Sequence, residues 1–352
     1  MCIVYTVMVL GKRETICLKG LAILMIVMHN VAHCLVDVRE NEFSFSFDRV
    51  VKFINDFAIH PLVDLFSFFG WLGVSVFVFI SGYGLAAKYE RADFKSVPWI
   101  LNHYAKLLLL SIPALIAVIL FIYDFPSNPR GLTHFYFVNQ SLLLNIVAPS
   151  RLCVDIYWYL GLALQLYVIF PFIRKLSTKV LLGILIVDIV FLAFCSDEVL
   201  DYSRMNFVGW LPEFLFGIFC FRMKDINMKT KNLYLTAVSM LILVVLLSYT
   251  RYTFFLSGIC FVCFVLALRR LICKIPGMHW VGIISASLYV VHAVVRNYCL
   301  ERVIPHYRLS TLEWVFITLG VSIVIAIPYN WYYRRALRWL KKLSKRFKFL
   351  AE

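Results

Sequence analysis

The chain has 352 residues, 62% of them hydrophobic and only 16% charged, and its formal net charge is +15. These proportions exclude an ordinary soluble domain of this length. The apolar residues fall into runs of about 18–24, punctuated by charge, which is the pattern of a polytopic helical membrane protein.

Taken along the chain, the runs predict an all-α transmembrane bundle of about ten spans: Thr15–Leu35, Leu62–Ala86, Leu101–Tyr123, Cys153–Ile173, Val180–Cys195, Phe207–Phe221, Leu233–Tyr249, Thr253–Leu268, Trp280–Leu300 and Leu312–Tyr333. The first follows a basic N-terminus, but it is too long for a signal-peptide core and no small-residue cleavage site follows it. A retained span is therefore expected. The sixth is short and interrupted by Pro212. Leu132–Val147 is apolar but contains His134, Asn139, Gln140 and Asn145, so it reads as an interfacial or re-entrant segment.

Charge supplies an independent test of direction. With the N-terminus in the cytoplasm and the spans alternating, most of the 35 basic residues fall on the inner side. Asp37, Glu40, Glu42, Asp48, Asp56, Asp124, Asp197, Glu198 and Asp201 fall on the outer side. Both termini are then cytoplasmic. The positive charge belongs to this asymmetry and does not point to nucleic acid. Residues 1–333 read as one membrane domain. Residues 334–352 read as a basic amphipathic tail, expected to lie on the anionic inner leaflet. The ten cysteines are scattered; Cys260 and Cys263 form a C-x-x-C inside an apolar helix, where packing is the natural reading.

Polar residues inside the spans carry the functional signal. Lys19 opens a run in which His29 follows roughly 15 Å further along a helix. That depth is near the middle of a ~30 Å hydrocarbon core, where a titratable group is expensive. At ~100° per residue, Lys19, His29, Asn30 and His33 share one stripe. His29 and His33 are one turn apart, a spacing able to bind zinc, but no nearby acid or cysteine completes a ligand set. No metal is expected. In the second span, Ser81, Gly82 and Gly84 permit close helix approach. His103 and Lys106 lie at the inner end of the third, as phosphate ligands or as snorkelling anchors. The fourth opens with Asp155, Tyr157, Trp158 and Tyr159, and Arg151 is spaced to pair with Asp155. Glu213, after Trp210-Leu211-Pro212, is a second costly intramembrane ion. Tyr289, His292 and Arg296 share one stripe of the ninth span. These groups suit an enzyme and a proton-coupled transporter or flippase alike. The sequence has neither the inverted repeat nor the paired broken helices of many transporters.

In order, these segments resemble the third acyltransferase family, the bacterial integral-membrane acyltransferases that include O-antigen, capsule and peptidoglycan O-acetylases. Lys19 to His29 resembles the family's basic-Gly-apolar-His opening. Gly73 to Leu85 resembles its Gly-Val-x-x-Phe-Phe-x-x-Ser-Gly-Phe segment. His103 and Lys106 fall at its Arg-x-x-Arg pair. Asp155 to Pro171, Glu213 to Gly217 and Ser285 to His292 are similar to its Trp-Phe-Leu…Pro, Glu-Phe-x-x-Gly and Ser-x-x-x-Tyr-x-x-His motifs.

The resemblance implies transfer of an acyl group, usually acetyl, from a cytoplasmic acyl-coenzyme A to a hydroxyl of a lipid-linked sugar or exported glycan. The expected location is the bacterial inner membrane. The partners are then acyl-coenzyme A, the sugar acceptor and membrane lipids, without a permanently bound cofactor. The acceptor's identity, the choice between acetyl, succinyl or another acyl group, and the oligomeric state are not written in the sequence. The implied catalytic residue is His29, with His33 in reserve. Lys19, His103 and Lys106 are the implied donor-binding residues. Asp155, Trp158, Glu213, Tyr289, His292 and Arg296 are expected on the acceptor side. Four departures stand out, the first being Lys19 in place of the usual Arg. The family's usual spacing of eleven falls on Asn30, which cannot act as a base. His103 and Lys106 replace two arginines, weakening bidentate phosphate binding. Ser75 stands where an Asp is common.

Overall fold

The computed structural model describes residues 4–6, 9–121, 134–145, 155–223 and 227–347. Its architecture is helical. The first run becomes α1 (Lys12–Leu35) and is followed by two short helices, α2 (Phe47–Asp56) and α3 (Pro61–Phe69). The second expected span divides at Gly70 and Trp71, so the membrane-length part is α4 (Leu72–Tyr89). Next come α5 (Ser96–Phe121), α6 (His134–Ser141) and α7 (Trp158–Ile173). Leu143 and Asn145, just past α6, have positive φ, which breaks the helical path in the segment read as interfacial. The chain continues through α8 (Thr178–Phe194), α9 (Asp197–Arg204), α10 (Leu211–Arg222) and α11 (Thr230–Leu247). It ends with α12 (Ser257–Ile272), α13 (Met278–Tyr298) and α14 (Thr311–Phe347). Two three-residue strands, β1 (Val4–Thr6) and β2 (Asn227–Lys229), pair antiparallel with Tyr5 opposite Met228.

Among the described residues, seven helices are long and apolar enough to cross a membrane, and Asn232–Leu247 is a shorter apolar helix. The expected fifth and sixth spans come out short. The sixth is preceded by a 3-10 turn at Phe207–Trp210, and α10 has 12 residues. At ~1.5 Å per residue α10 reaches only part of the way across the hydrocarbon. The last expected span and the start of the basic tail form one 37-residue helix, with no break at Tyr333.

The helices group into two compact units. One comprises Met1–Arg91 and Ile173–Ser285, the other Ala92–Phe172 and Ala286–Glu352. In the first, α4 packs on α10, α1 and α12, and α11 packs on α12. A Cβ on Gly82 would overlap the Phe214 backbone, and one on Gly217 the Phe79 backbone, so paired glycines set the α4–α10 crossing. In the second unit α14 lies on α5. Pro113 has no N–H to give the Leu109 carbonyl one turn earlier. Tyr332 Oη donates to that carbonyl at 3.2 Å, and Tyr329 Oη to the Leu110 carbonyl at 2.6 Å. Neighbouring side chains thereby satisfy backbone that the bilayer could not.

Candidate functional site

In the first unit, α1 buries His29, which is only 4% exposed. Its Nδ1 lies 3.2 Å from the Phe66 carbonyl at the end of α3. A carbonyl only accepts, so Nδ1 carries the proton and Nε2 the lone pair. Close approach makes this contact possible. A Cβ on Gly70 would lie 2.5 Å from His29 Cβ and 2.5 Å from the Phe66 carbonyl oxygen.

One turn on, the His33 ring stands 5.3 Å from the His29 ring, centroid to centroid. His33 Nδ1 donates to Glu40 Oε2 at 3.1 Å. Glu40 is the acid missing from the sequence reading of this histidine pair. It belongs to the segment between α1 and α2, where position along the chain suggests nothing more than an outer-surface charge. That segment is pinned from several directions. Arg49 Nη1 donates to the carbonyls of Glu40 at 2.9 Å and Ser44 at 3.1 Å. Ser67 Oγ donates to the Val38 carbonyl at 2.5 Å. Arg39 donates to the carbonyl of His33. Burial disfavours the Glu40 anion, but the hydrogen bond from His33 and the nearby imidazoles outweigh it and hold its carboxyl down at about 2.

Two residues later the same segment enters a buried ionic cluster. The Arg204 guanidinium is fully buried, 3.9 Å from the centroid of Trp210 and 5.5 Å from that of Trp71. Its Nε donates to the Glu42 carbonyl at 2.9 Å and its Nη1 to the Gly209 carbonyl at 2.5 Å. The carboxyl groups of Glu213, Glu42 and Asp188 are near enough to favour its positive charge. Burial pushes the Glu42 carboxyl up to about 8, with the Glu40 charge adding to this and Arg204 opposing it. Ser75 Oγ donates to Glu213 Oε1 at 3.1 Å. A Cβ on Gly258 would overlap both Ser75 Oγ and Glu213 Oε1, so α12 approaches this pair without a side chain. Glu213 therefore faces the protein interior, as its cost in lipid requires. The sequence reading passed over Arg204, Glu42 and Asp188. Asp188 carried the same signal as Glu213, a lone charge in an apolar run. Lys19, on the same helix as His29, is half-buried.

The second unit holds the remaining expected residues in two groups. His103 is buried on α5. Its Nδ1 donates to the Trp99 carbonyl at 2.8 Å, and its ring lies 4.0 Å from Trp99 and 4.6 Å from Tyr167 by centroid. Lys106, a turn further on, accepts Tyr333 Oη at its backbone carbonyl. In the other group, Arg296 Nη2 donates to Asp155 Oδ1 at 2.5 Å and to Asn297 Oδ1 at 2.7 Å. Arg151, the expected partner of Asp155, lies outside the described residues. Tyr289 Oη donates to the Ile156 carbonyl, and Tyr157 Oη to the Val290 carbonyl at 2.8 Å. The fully buried His292 donates from Nδ1 to Leu288, with Tyr289 beside it. The stripe Tyr289–His292–Arg296 is thus one face, and it meets the start of the fourth span. Trp158 is buried, its carbonyl accepting Asn145 Nδ2 at 2.7 Å, whereas Tyr159 is half-buried.

Several helices of membrane length, together with interior ionisable groups in each unit, define an integral multi-pass membrane protein. The family model described as an acyltransferase domain, that of the integral-membrane acyltransferase-3 family, matches residues 15–333, and the chain belongs to this family. No curated protein and no solved structure is significantly similar to it. The protein is a membrane acyltransferase.

Proposed function

We propose that this acyltransferase moves an acyl group, acetyl in the first instance, from acyl-coenzyme A to a hydroxyl of a cell-surface glycan or lipid-linked sugar, in the bacterial inner membrane. The reading rests above all on His29, whose Nδ1 proton is committed to the Phe66 carbonyl. Its Nε2 is left to receive a proton. As the sugar oxygen bonds to the thioester carbon, Nε2 takes the hydroxyl proton; as the C–S bond breaks, the same proton passes to the leaving thiolate. Ester and free coenzyme A thiol result, and the imidazole is regenerated.

Lys19, His103 and Lys106, two to three turns into their helices, are assigned to the donor phosphates. Asp155, Trp158, Glu213, Tyr289, His292 and Arg296 are assigned to the acceptor side. The acceptor approaches from the outer face, so the acyl group effectively crosses the membrane.

The test is transfer of labelled acetyl from acetyl-coenzyme A by the purified protein in detergent, with glycan O-acetylation compared in a deletion strain. An inactive protein and an unchanged glycan would overturn the reading. Oriented proteoliposomes with acetyl-coenzyme A on the cytoplasmic face and acceptor on the other test direction. Acetylation only when both share the cytoplasmic side would remove the cross-membrane step and leave the enzyme assignment standing.

A further inference from the structure

His29 and His33 present two imidazoles on one face of α1, and the segment after the helix brings the Glu40 carboxylate to them. One donor atom from each of the three residues lies within 4.8 Å of the other two. Zinc–nitrogen bonds of ~2.0–2.1 Å place tetrahedral donors roughly 3.4 Å apart, so modest side-chain movement closes the set. Two imidazoles with one carboxylate match the ligand set of catalytic-type zinc sites, which keep a fourth position open. Imidazole donors favour transition-metal dications over calcium or magnesium. The surroundings already hold the ligands in place. The Phe66 carbonyl accepts the Nδ1 proton of His29, the contact that directs Nε2 of a metal-binding histidine toward its ion. Arg49 anchors the backbone of Glu40.

We propose that His29, His33 and Glu40 form a three-ligand site for a divalent transition metal such as zinc, and that its occupation silences acyl transfer. The second part rests on the function proposed above. Nε2 of His29 has a single lone pair, which either binds the ion or accepts the hydroxyl proton. The first part stands without any activity. A plain His33–Glu40 hydrogen bond predicts no metal affinity, and this is the reading the experiment opposes.

Purified full-length protein in detergent is stripped with chelator and titrated with zinc chloride alone, by calorimetry and elemental analysis. About one zinc per chain is expected, with affinity falling at least tenfold in Glu40→Gln and in His33→Asn. Substoichiometric binding by the wild type, or unchanged affinity in both variants, overturns the site. Should the variants fail to fold, cobalt-loaded wild type decides. Intense visible bands of a four-coordinate centre support the site, and a spectrum of aqueous cobalt overturns it. In the transfer assay, zinc inhibits the wild type over the concentration range in which it binds. A stripped enzyme that is inactive and regains transfer with zinc overturns the silencing, because the ion is then catalytic. Stoichiometric zinc on a protein that transfers no acyl group in either state supports the metal site and defeats the functional reading alone.

Discussion

His29 Nδ1 and the Phe66 carbonyl oxygen stand 3.2 Å apart, joining the second half of α1 to the last turn of a short helix that the second apolar run did not announce. The contact decides which ring nitrogen can work as a base. His29→Ala should lower acyl transfer by about 10²–10⁴-fold, the usual contribution of a general base, while expression and detergent stability persist. Labelled acetyl transfer by the purified variant measures this. An active His29→Ala beside a dead His33→Ala would place the base one turn away.

Gly70 holds that arrangement together. In Gly70→Ala the added methyl meets His29 Cβ and the Phe66 carbonyl at 2.5 Å, and neither is the yielding end of a flexible chain. The helices must separate. A loss of about 1–3 kcal/mol of stability is expected, with a fall in kcat because Nε2 is no longer held in place. Thermal melting in detergent and steady-state kinetics report the two effects; a fully active, unshifted variant would contradict the geometry.

The ionic cluster calls for a double-mutant cycle. Arg204→Ala strips the buried Glu42 and Gly209 carbonyls of their donor and removes a cation that acts on Glu213, Glu42 and Asp188, a change expected to cost about 1–3 kcal/mol. Glu213→Gln removes one of those acids and can keep the hydrogen bond from Ser75. Arg204→Ala should therefore do less harm in the Glu213→Gln background, with a coupling of about 0.5–3 kcal/mol. Additive losses in denaturant melts would mean that the two side chains do not sense each other.

For the donor, Lys106→Ala and Lys19→Ala are expected to raise KM for acetyl-coenzyme A more than they lower kcat. A phosphate grip remote from the reacting carbon supplies mostly uniform binding. Michaelis curves at saturating acceptor make the comparison, and an unchanged KM in both variants would take these lysines out of the donor site.

Hydropathy and charge alone determined that the chain is a helical membrane protein, where its main apolar helices run, and which spans carry a misplaced histidine or glutamate. These are local properties. A buried ion in an apolar run is expensive wherever the run packs, so His29, Glu213 and His292 stood out before any contact was known. The tertiary structure decided what those residues touch. Glu40, Glu42 and Arg204 lie between the expected spans, where charges read as surface; Glu42 and Arg204 are buried and Glu40 half-buried because the segment from Val36 to Ser46 lies against α1, α3 and α9. The same applies to Asp155, which meets Arg296 far along the chain. Side-chain periodicity places a residue on the face of its own helix. Which loop comes to lie against that face depends on contacts between distant segments, and no local pattern encodes them.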